Sequence, residues 1–430
     1  MKTFNDLSLS AKMLDTLAER NFNTPTEIQV QAIPLLKQNK DLIGLSQTGT
    51  GKTFAFLIPL IEKIEPDNNN LQALILCPTR ELCLQITKEA KMLAQNFKHI
   101  RVVAVYGGAD INGQIFALKR KANIIVGTPG RVLDHIRRHT IKLLNINTVV
   151  LDEADEMLNM GFRKDIETIL AKTPESRQTV CFSATMNDEI MGLIKTHMKE
   201  PEQIKIGKTN TALSNIEQTY FVVPKDKKKK ALHSLLCEIP EGKTLIFCNT
   251  KKMVGGVQSY LEKMGYQVSV LHGDMPQSLR TKIMREYKDN ISNLLITTDV
   301  SARGIDVNNI AYVINYDLPA NLEYYIHRIG RTGRAGKKGC AYTILNSEEQ
   351  AEKLKEICKK TQSTITLKRL QLNNIDELKV AKNLQKTSKN KTQLQKSRFN
   401  NKTKSFKNKN VKYNRSTKVS NQNKKMKYKK

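Results

Sequence analysis

Apolar and polar positions alternate along the chain in one recurring unit. A short run of apolar residues stops abruptly at a small polar cluster, and a stretch of helical periodicity follows. Leu42–Leu45 stops at Ser46-Gln47-Thr48, Ala73–Cys77 at Pro78-Thr79-Arg80-Glu81, and Arg101–Tyr106 at Gly107-Gly108. Ile124–Val126 stops at Gly127-Thr128-Pro129-Gly130-Arg131, Val149–Leu151 at Asp152-Glu153-Ala154-Asp155, and Val180–Phe182 at Ser183-Ala184-Thr185. Between them Leu82, Ile86, Ala90, Leu93 and Phe97 mark the apolar face of a helix. Strands apolar on both faces that alternate with helices predict a parallel sheet, whose ligands bind at the carboxyl ends of the strands. All the polar clusters then lie on one rim.

Polar residues around 208–215 interrupt the pattern and read as a linker. The pattern then resumes. Leu245–Phe247 ends at Cys248-Asn249-Thr250, Val268–Leu271 at His272-Gly273-Asp274, Leu294–Ile296 at Thr297-Thr298-Asp299, and Ala311–Ile314 at Asn315-Tyr316-Asp317. The expected fold class is α/β, with two tandem parallel-sheet domains at 1–208 and 217–377 joined by a linker at 209–216. Ahead of the first strand an amphipathic segment (Leu9, Met13, Leu17) ends near Arg20, and Thr26 is placed to cap a helix through Ile28 and Ile33.

Composition adds a partner. The 430 residues contain no apolar run long enough to cross a membrane, and the amino-terminal residues lack a hydrophobic secretion signal, so the cytosol is the expected location. Seven cysteines without a C-x-x-C pair lie mostly in apolar runs and read as buried free thiols. The net charge of +30 is unevenly spread: nineteen Lys and Arg and no acidic residue follow Glu377, leaving +11 for residues 1–377. Residues 378–430, rich in Lys, Asn, Ser and Thr with isolated aromatics, are expected to be a disordered tail that binds a polyanion, of which nucleic acid is the commonest.

The chemistry concentrates in a few clusters. Ser46-Gln47-Thr48-Gly49-Thr50-Gly51-Lys52-Thr53, between an apolar run and a helical one, has the make-up of a phosphate-binding loop. Lys52 would reach the β- and γ-phosphates, and Thr53 would sit on Mg²⁺. Asp152, at a strand end, can hold the same Mg²⁺, and Glu153 can orient and deprotonate the attacking water. An Asp-Glu pair alone reads as a helix N-terminal charge; the phosphate loop reverses that reading. A glutamine amide can pair with the N6 and N7 edge of adenine, so Gln29 is a candidate base reader, although its spacing alone suits a solvated helix position. His327-Arg328-Ile329-Gly330-Arg331-Thr332-Gly333-Arg334 carries arginines that can reach a γ-phosphate across a cleft, or form a basic surface turn.

Taken together, Gln29, Ser46–Thr53, Pro78–Leu82, Thr128–Arg131, the literal Asp-Glu-Ala-Asp at 152–155 and Ser183-Ala184-Thr185 resemble the DEAD-box RNA helicases of superfamily 2, in order, identity and spacing. The likeness covers roughly residues 4–365, and the Glu156–Phe162 context resembles the bacterial type. It implies two RecA-like domains, ATP and Mg²⁺ as cofactors, and ATP hydrolysis coupled to RNA binding, local duplex unwinding and remodelling of ribonucleoprotein, in ribosome assembly, RNA decay or cold adaptation.

The resemblance also implies roles. Within a Q motif at 4–30, Phe4 corresponds to the aromatic stacked on adenine and Gln29 to the adenine reader, with Phe22 and Thr24 beside them. Asp155 joins the nucleotide site, Gly304 and Asp306 approach the ribose, and Ser183 and Thr185 join the catalytic set. Arg331 and Arg334 become arginine fingers, and His327 links them to the Ser183-Ala184-Thr185 element. Gln277 and Arg280 grip the nucleic-acid backbone. The RNA track then comprises Pro78, Thr79, Arg80, Gly107, Gly108, Thr128, Pro129, Gly130, Arg131, Gln277, Arg280 and Thr298, groups suited to phosphate and ribose rather than base edges. Asn21 and Ser46 replace the family's usual glycine and alanine without removing a group the chemistry needs. Two other readings share these motifs: an ATP-gated RNA clamp or annealing scaffold that unwinds little, and a DNA helicase. Ribosomal particles and RNA-decay proteins are the partners such an enzyme implies.

Overall fold

The computed structural model describes residues 2–46, 50–65, 67–206, 215–302, 309–319, 322–333, 337–361 and 363–370. Its first half holds strands β1 (Leu42–Leu45), β2 (Ala73–Leu76), β3 (Val102–Val105), β4 (Ile124–Gly127), β5 (Thr148–Leu151), β6 (Gln178–Ser183) and β7 (Glu202–Lys205). The second holds β8 (Ile216–Val222), β9 (Lys243–Phe247), β10 (Val268–Leu271), β11 (Leu294–Thr297), β12 (Ile310–Asn315), β13 (Gly339–Leu345) and β14 (Thr366–Leu367). Each set forms one seven-stranded sheet, ordered β3-β4-β2-β5-β6-β1-β7 and β10-β11-β9-β12-β13-β8-β14. The pairings are parallel, as in β1 with β6, where Leu42 faces Val180 and Leu45 faces Ser183.

The apolar strands are buried on both faces, as their composition requires. One core of the first sheet gathers Phe56, Ile75, Val126 and Phe182, and the other gathers Leu74, Ile125, Leu151 and Met157. At Gly44 the backbone of β1 lies so close to the Phe182 ring that a Cβ would stand 2.2 Å from it. All seven cysteines are free thiols, five of them buried. Among the described residues no helix is long and apolar enough to cross a membrane.

Strands β7, β8, β13 and β14 escape a reading based on apolar runs. In β7 Ile204 alone is buried, as befits an edge. Inside β8 the polar Gln218 and Thr219 are buried, with the Gln218 carbonyl accepting the Tyr325 hydroxyl at 2.9 Å. The expected linker loses Ile216 to β8; residues 207–214, like the basic tail from 371 onward, lie outside the described residues.

The order of the first sheet sorts the rim. The loops after β3, β4 and β2 adjoin one another and carry Gly107-Gly108, Thr128–Arg131 and Pro78–Glu81. The loops after β5, β6 and β1 adjoin in turn and carry Asp152–Asp155, Ser183–Thr185 and the phosphate loop. Clusters interleaved along the chain thus separate into two neighbouring districts.

Candidate active site

The phosphate loop is anchored at both ends. The Ser46 amide donates to the Ser183 carbonyl at 3.1 Å, and the Thr50 hydroxyl donates to Ser46 Oγ at 3.2 Å. Gly51, with φ of 92°, caps the helix Lys52–Lys63, whose first turn carries the half-buried Thr53. Lys52 is buried and folds back to donate to the Ser46 carbonyl at 3.0 Å. Gln47, Thr48 and Gly49 lie outside the described residues.

Gln29 is buried and bridges this loop to the preceding segment. Its Oε1 accepts the Thr26 amide at 2.9 Å, which with Thr26 closes the start of the helix Glu27–Lys37, and its Nε2 donates to the Gly51 carbonyl at 3.1 Å. One N–H and one carbonyl lone pair of the amide are left over for a base. Thr24 and Phe22 are exposed nearby in sequence, and the Phe22 ring stands edge-on to Phe54 at 5.0 Å. Phe4 is a correction: at 5% exposure it lies in the hydrophobic core with Leu7, Met13 and Leu17 and offers no face for stacking. Of the two aromatics, Phe22 at 40% exposure is the one presented to solvent.

Asp152 is 3% exposed, and burial, opposed by Lys52 and reinforced by Glu153, pushes its pKa up to about 7. Its Oδ1 accepts the Glu153 amide at 3.1 Å. Glu153 adopts the left-handed conformation (φ 53°) that few side chains adopt, and caps the helix Ala154–Asn159 half-exposed to the cleft. A buried carboxylate whose charge is disfavoured fits a divalent cation, which would reverse that shift. Among the described residues no cluster of three His, Cys, Asp or Glu forms a closed metal cage.

Asp155 is corrected from a nucleotide ligand to an internal tie. It is 1% exposed; Oδ1 accepts the Glu156 amide, and Oδ2 accepts the Ala184 and Thr185 amides at 3.0 Å and the Thr185 hydroxyl at 3.2 Å. Ser183 is fully buried and donates to the Thr185 carbonyl at 2.7 Å. Ser183 and Thr185 therefore position the turn beside the nucleotide district and do not face it as catalytic groups.

The second domain reaches across at two points. His327 Nδ1 lies 2.5 Å from Glu156 Oε1, so its partner is the residue after Asp155 and not the Ser183-Ala184-Thr185 turn itself. Burial opposes the charge on His327, but the bond to Glu156, helped by the charges of Glu156 and Asp155, raises its pKa above the ordinary value. Arg331, 8% exposed, donates from Nε to the His327 carbonyl at 3.2 Å. Arg334, Gly304 and Asp306 lie outside the described residues. Arg280 is the second bridge and a further correction: Nε and Nη2 donate to Glu81 Oε1 at 2.9 and 2.7 Å, and Nη1 donates to the His272 carbonyl. Its guanidinium joins the domains instead of lying open to a strand.

Arg328 and Glu81 carry functions that the sequence reading missed. Arg328, 1% exposed, donates to both Asp299 oxygens at 2.6 and 2.7 Å, to the Asp317 carbonyl at 2.6 Å and to Asn249 Oδ1 at 2.7 Å. It pins the helix Leu322–Ile329 to the ends of β9, β11 and β12. Its place beside His327 in a motif was the only signal.

In the other district Thr79 caps the helix Arg80–Leu93, accepting the Leu82 amide at 3.3 Å, and Pro78 is buried before it. The Arg80 guanidinium stacks 4.9 Å over the Tyr106 ring and lies against Gly108, whose φ is 73°. Gly107 has open space around its Cα, Thr128 is half-buried, Pro129 opens the helix Pro129–Arg137, and Gly130 is exposed. Arg131 donates to the Ala109 carbonyl at 3.2 Å. In the second domain Thr298 is buried and donates to Ser301 Oγ at 3.4 Å; Gln277 opens the helix Gln277–Lys288, and its side chain lies outside the described residues.

The profile of the DEAD/DEAH box helicases matches residues 26–193, and that of the helicase conserved C-terminal domain matches residues 227–336. The DEAD-box ATP-dependent RNA helicase CshA of Bacillus subtilis is 47% identical over 350 residues, 81% of this chain and 70% of the relative. The structure of S. cerevisiae Dbp5 bound to RNA and ADP BeF3 superposes with a TM-score of 0.80 at 33% identity, covering 89% of this chain and 100% of that one. The structure of a point variant of the same yeast protein, bound to Nup159, a Gle1 variant, IP6 and ADP, covers 88% of this chain and 100% of its own, at 31% identity and a TM-score of 0.60. The present domain arrangement is thus more similar to the RNA-bound one.

Proposed function

Because the chain belongs to the DEAD-box ATP-dependent RNA helicases, we propose that its cleft hydrolyses ATP in a cycle of domain closure that grips RNA and opens short duplexes. The two α/β domains, the second beginning with β8 at Ile216, act together, with the basic residues 378–430 adding a sequence-independent hold on RNA. Phe22 stacks on adenine and Gln29 reads its edge. Lys52 exchanges the Ser46 carbonyl for the β- and γ-phosphates, and the backbone from Ser46 to Thr53 cradles them. Thr53 and Asp152 would hold Mg²⁺, whose charge offsets that of the phosphates. Glu153 orients the attacking water and takes its proton. Arg331, with Arg334 beyond it, meets the charge that develops on the transferred phosphoryl group; arginines in this role are worth about 10³–10⁵ in rate.

RNA lies over Thr79, Arg80, Gly108, Thr128, Gly130, Arg131 and Thr298, which touch phosphate and ribose and leave sequence unread. Ribosomal particles or RNA-decay assemblies in the cytosol are the substrates this chemistry suits.

The observation that carries the reading is the His327–Glu156 bond. It joins the helix that ends near Arg331 to the helix that begins at Glu153, so a catalytic site assembles only when both domains meet. Steady-state ATPase of the full chain and of Glu153→Gln, each with and without RNA, tests it. The expected result is RNA-stimulated turnover that Glu153→Gln abolishes while ATP-dependent RNA binding persists; turnover indifferent to RNA overturns the coupling.

A further inference from the structure

We propose that Gln114 is the positioning residue that aligns the three RNA-facing loops of the first domain and aims Arg131 at the strand, an inference that rests on the RNA district described above. Gln114 belongs to the helix Ile111–Lys119, is 7% exposed, and touches none of the nucleotide residues. Its Nε2 donates to the Tyr106 carbonyl at 3.0 Å, at the end of β3. Its Oε1 accepts Arg131 Nη1 at 3.3 Å, in the first turn of the helix that follows β4, and faces His135 Nε2 at 3.1 Å. Tyr106 in turn carries the Arg80 guanidinium on its ring, so one amide reaches the loops after β2, β3 and β4 together.

The chemistry allows only one orientation of that amide. Turned over, it would point N–H groups at the Arg131 guanidinium and set its carbonyl against that of Tyr106. With Oε1 as acceptor, His135 must supply a proton from Nε2. Burial, reinforced by the charge of Arg131, holds the His135 pKa below the ordinary value and favours the neutral ring, whose Nδ1 faces Thr140 Oγ1 at 2.8 Å, a hydroxyl that also reaches the His135 carbonyl at 3.0 Å. His135 is shut off from solvent at 0% exposure and backs Gln114 at 3.1 Å. Arg131 is then held by Gln114 Oε1 and the Ala109 carbonyl, with Asp134 at 3.9 Å, and keeps its remaining N–H groups for a phosphate.

The test uses the full chain and a single-stranded oligouridylate. ATPase is titrated with RNA for Gln114→Leu, Gln114→Glu, Arg131→Ala and the Gln114→Leu/Arg131→Ala double variant, and each protein is melted alongside. Gln114→Leu is expected to raise the RNA concentration at half-stimulation about fivefold, the worth of the one hydrogen bond that aims Arg131, with kcat held to within about twofold. Gln114→Glu, which keeps the acceptor, is expected to fall between it and the unaltered chain. The double variant is expected to be no weaker than Arg131→Ala, because a positioning residue acts through the group it aims. Fully additive losses, or a fall in melting temperature and kcat with an unmoved RNA midpoint, overturn the proposal. An Arg131→Ala midpoint equal to that of the unaltered chain overturns the RNA reading itself, and the positioning role with it.

Discussion

Glu81 and Arg280 stand 199 positions apart in the chain, yet one carboxylate oxygen of Glu81 accepts two N–H groups of Arg280 at 2.7 and 2.9 Å. Both side chains are largely buried by the contact, at 17% and 10% exposure. A pair so shielded keeps far more of its attraction than a surface one, and a lone survivor leaves a charge without a partner. Arg280→Ala should therefore weaken closure by about 2 kcal/mol, roughly thirtyfold in the closed-to-open ratio. Interdomain energy transfer between dyes on the two domains, in RNA and a non-hydrolysable ATP analogue, measures it. A charge-reversed double variant, Glu81→Arg with Arg280→Glu, should regain part of the loss; recovery of none would mean that the pair does not act as a unit.

The second crossing is sensitive to pH. His327 is raised above its ordinary value of 6.5 when it meets Glu156. Closure therefore takes up a proton, and its contribution is fully present below the ordinary imidazole range and lost as pH rises through the raised value. RNA affinity in the ATP analogue should fall as pH climbs from about 6 to about 9, and His327→Gln should flatten that slope. An unchanged slope in His327→Gln would assign the dependence to another group.

These two crossings explain what could be read in the sequence and what could not. Strands such as Ile124–Gly127 and Thr148–Leu151 hold unbroken apolar runs, Ile124–Val126 and Val149–Leu151, because both faces are buried, so the runs alone find them. The mixed run Ile216–Val222 is buried at most positions, and its Gln218 Oε1 accepts the hydroxyl of Tyr325, a partner 107 positions away that no local pattern reveals. The site follows the same division. A local motif brings Lys52, Asp152 and Glu153 together, whereas the surroundings of Phe4, Asp155 and Arg280 are set by burial and long-range partners, which decide what a side chain faces.

Arg328 offers a test that separates scaffold from catalysis within one motif. It fills a buried fork among Asp299, Asn249 and the Asp317 carbonyl and lies over the Phe247 ring at 5.1 Å. Arg328→Ala leaves the Asp299 carboxylate without its bidentate partner and should destabilise the second domain by about 3 kcal/mol in urea unfolding. Arg328→Lys keeps the charge but cannot reproduce a planar fork, so it should recover less than half of that. Arg331→Lys, altering the proposed arginine finger, should instead lower turnover with little change in the unfolding midpoint.

Two glycines with nearly the same backbone make the last test a controlled one. Gly51 has φ of 92° and Gly161 has φ of 81°, so alanine at either incurs the left-handed penalty of about 1–2 kcal/mol. Their surroundings differ. A Cβ at Gly51 would stand 2.7 Å from Gln29 Nε2 and 2.8 Å from Thr26 Oγ1, whereas one at Gly161 meets nothing within 4 Å. Gly51→Ala must therefore move Gln29 off the loop that cradles phosphate, while Gly161→Ala only strains the chain. Binding of a fluorescent ATP analogue should weaken by at least about tenfold in Gly51→Ala and by less than about twofold in Gly161→Ala, with similar falls in melting temperature. Equal losses of nucleotide in the two variants would trace the effect to backbone strain alone and detach Gln29 from the phosphate loop it touches.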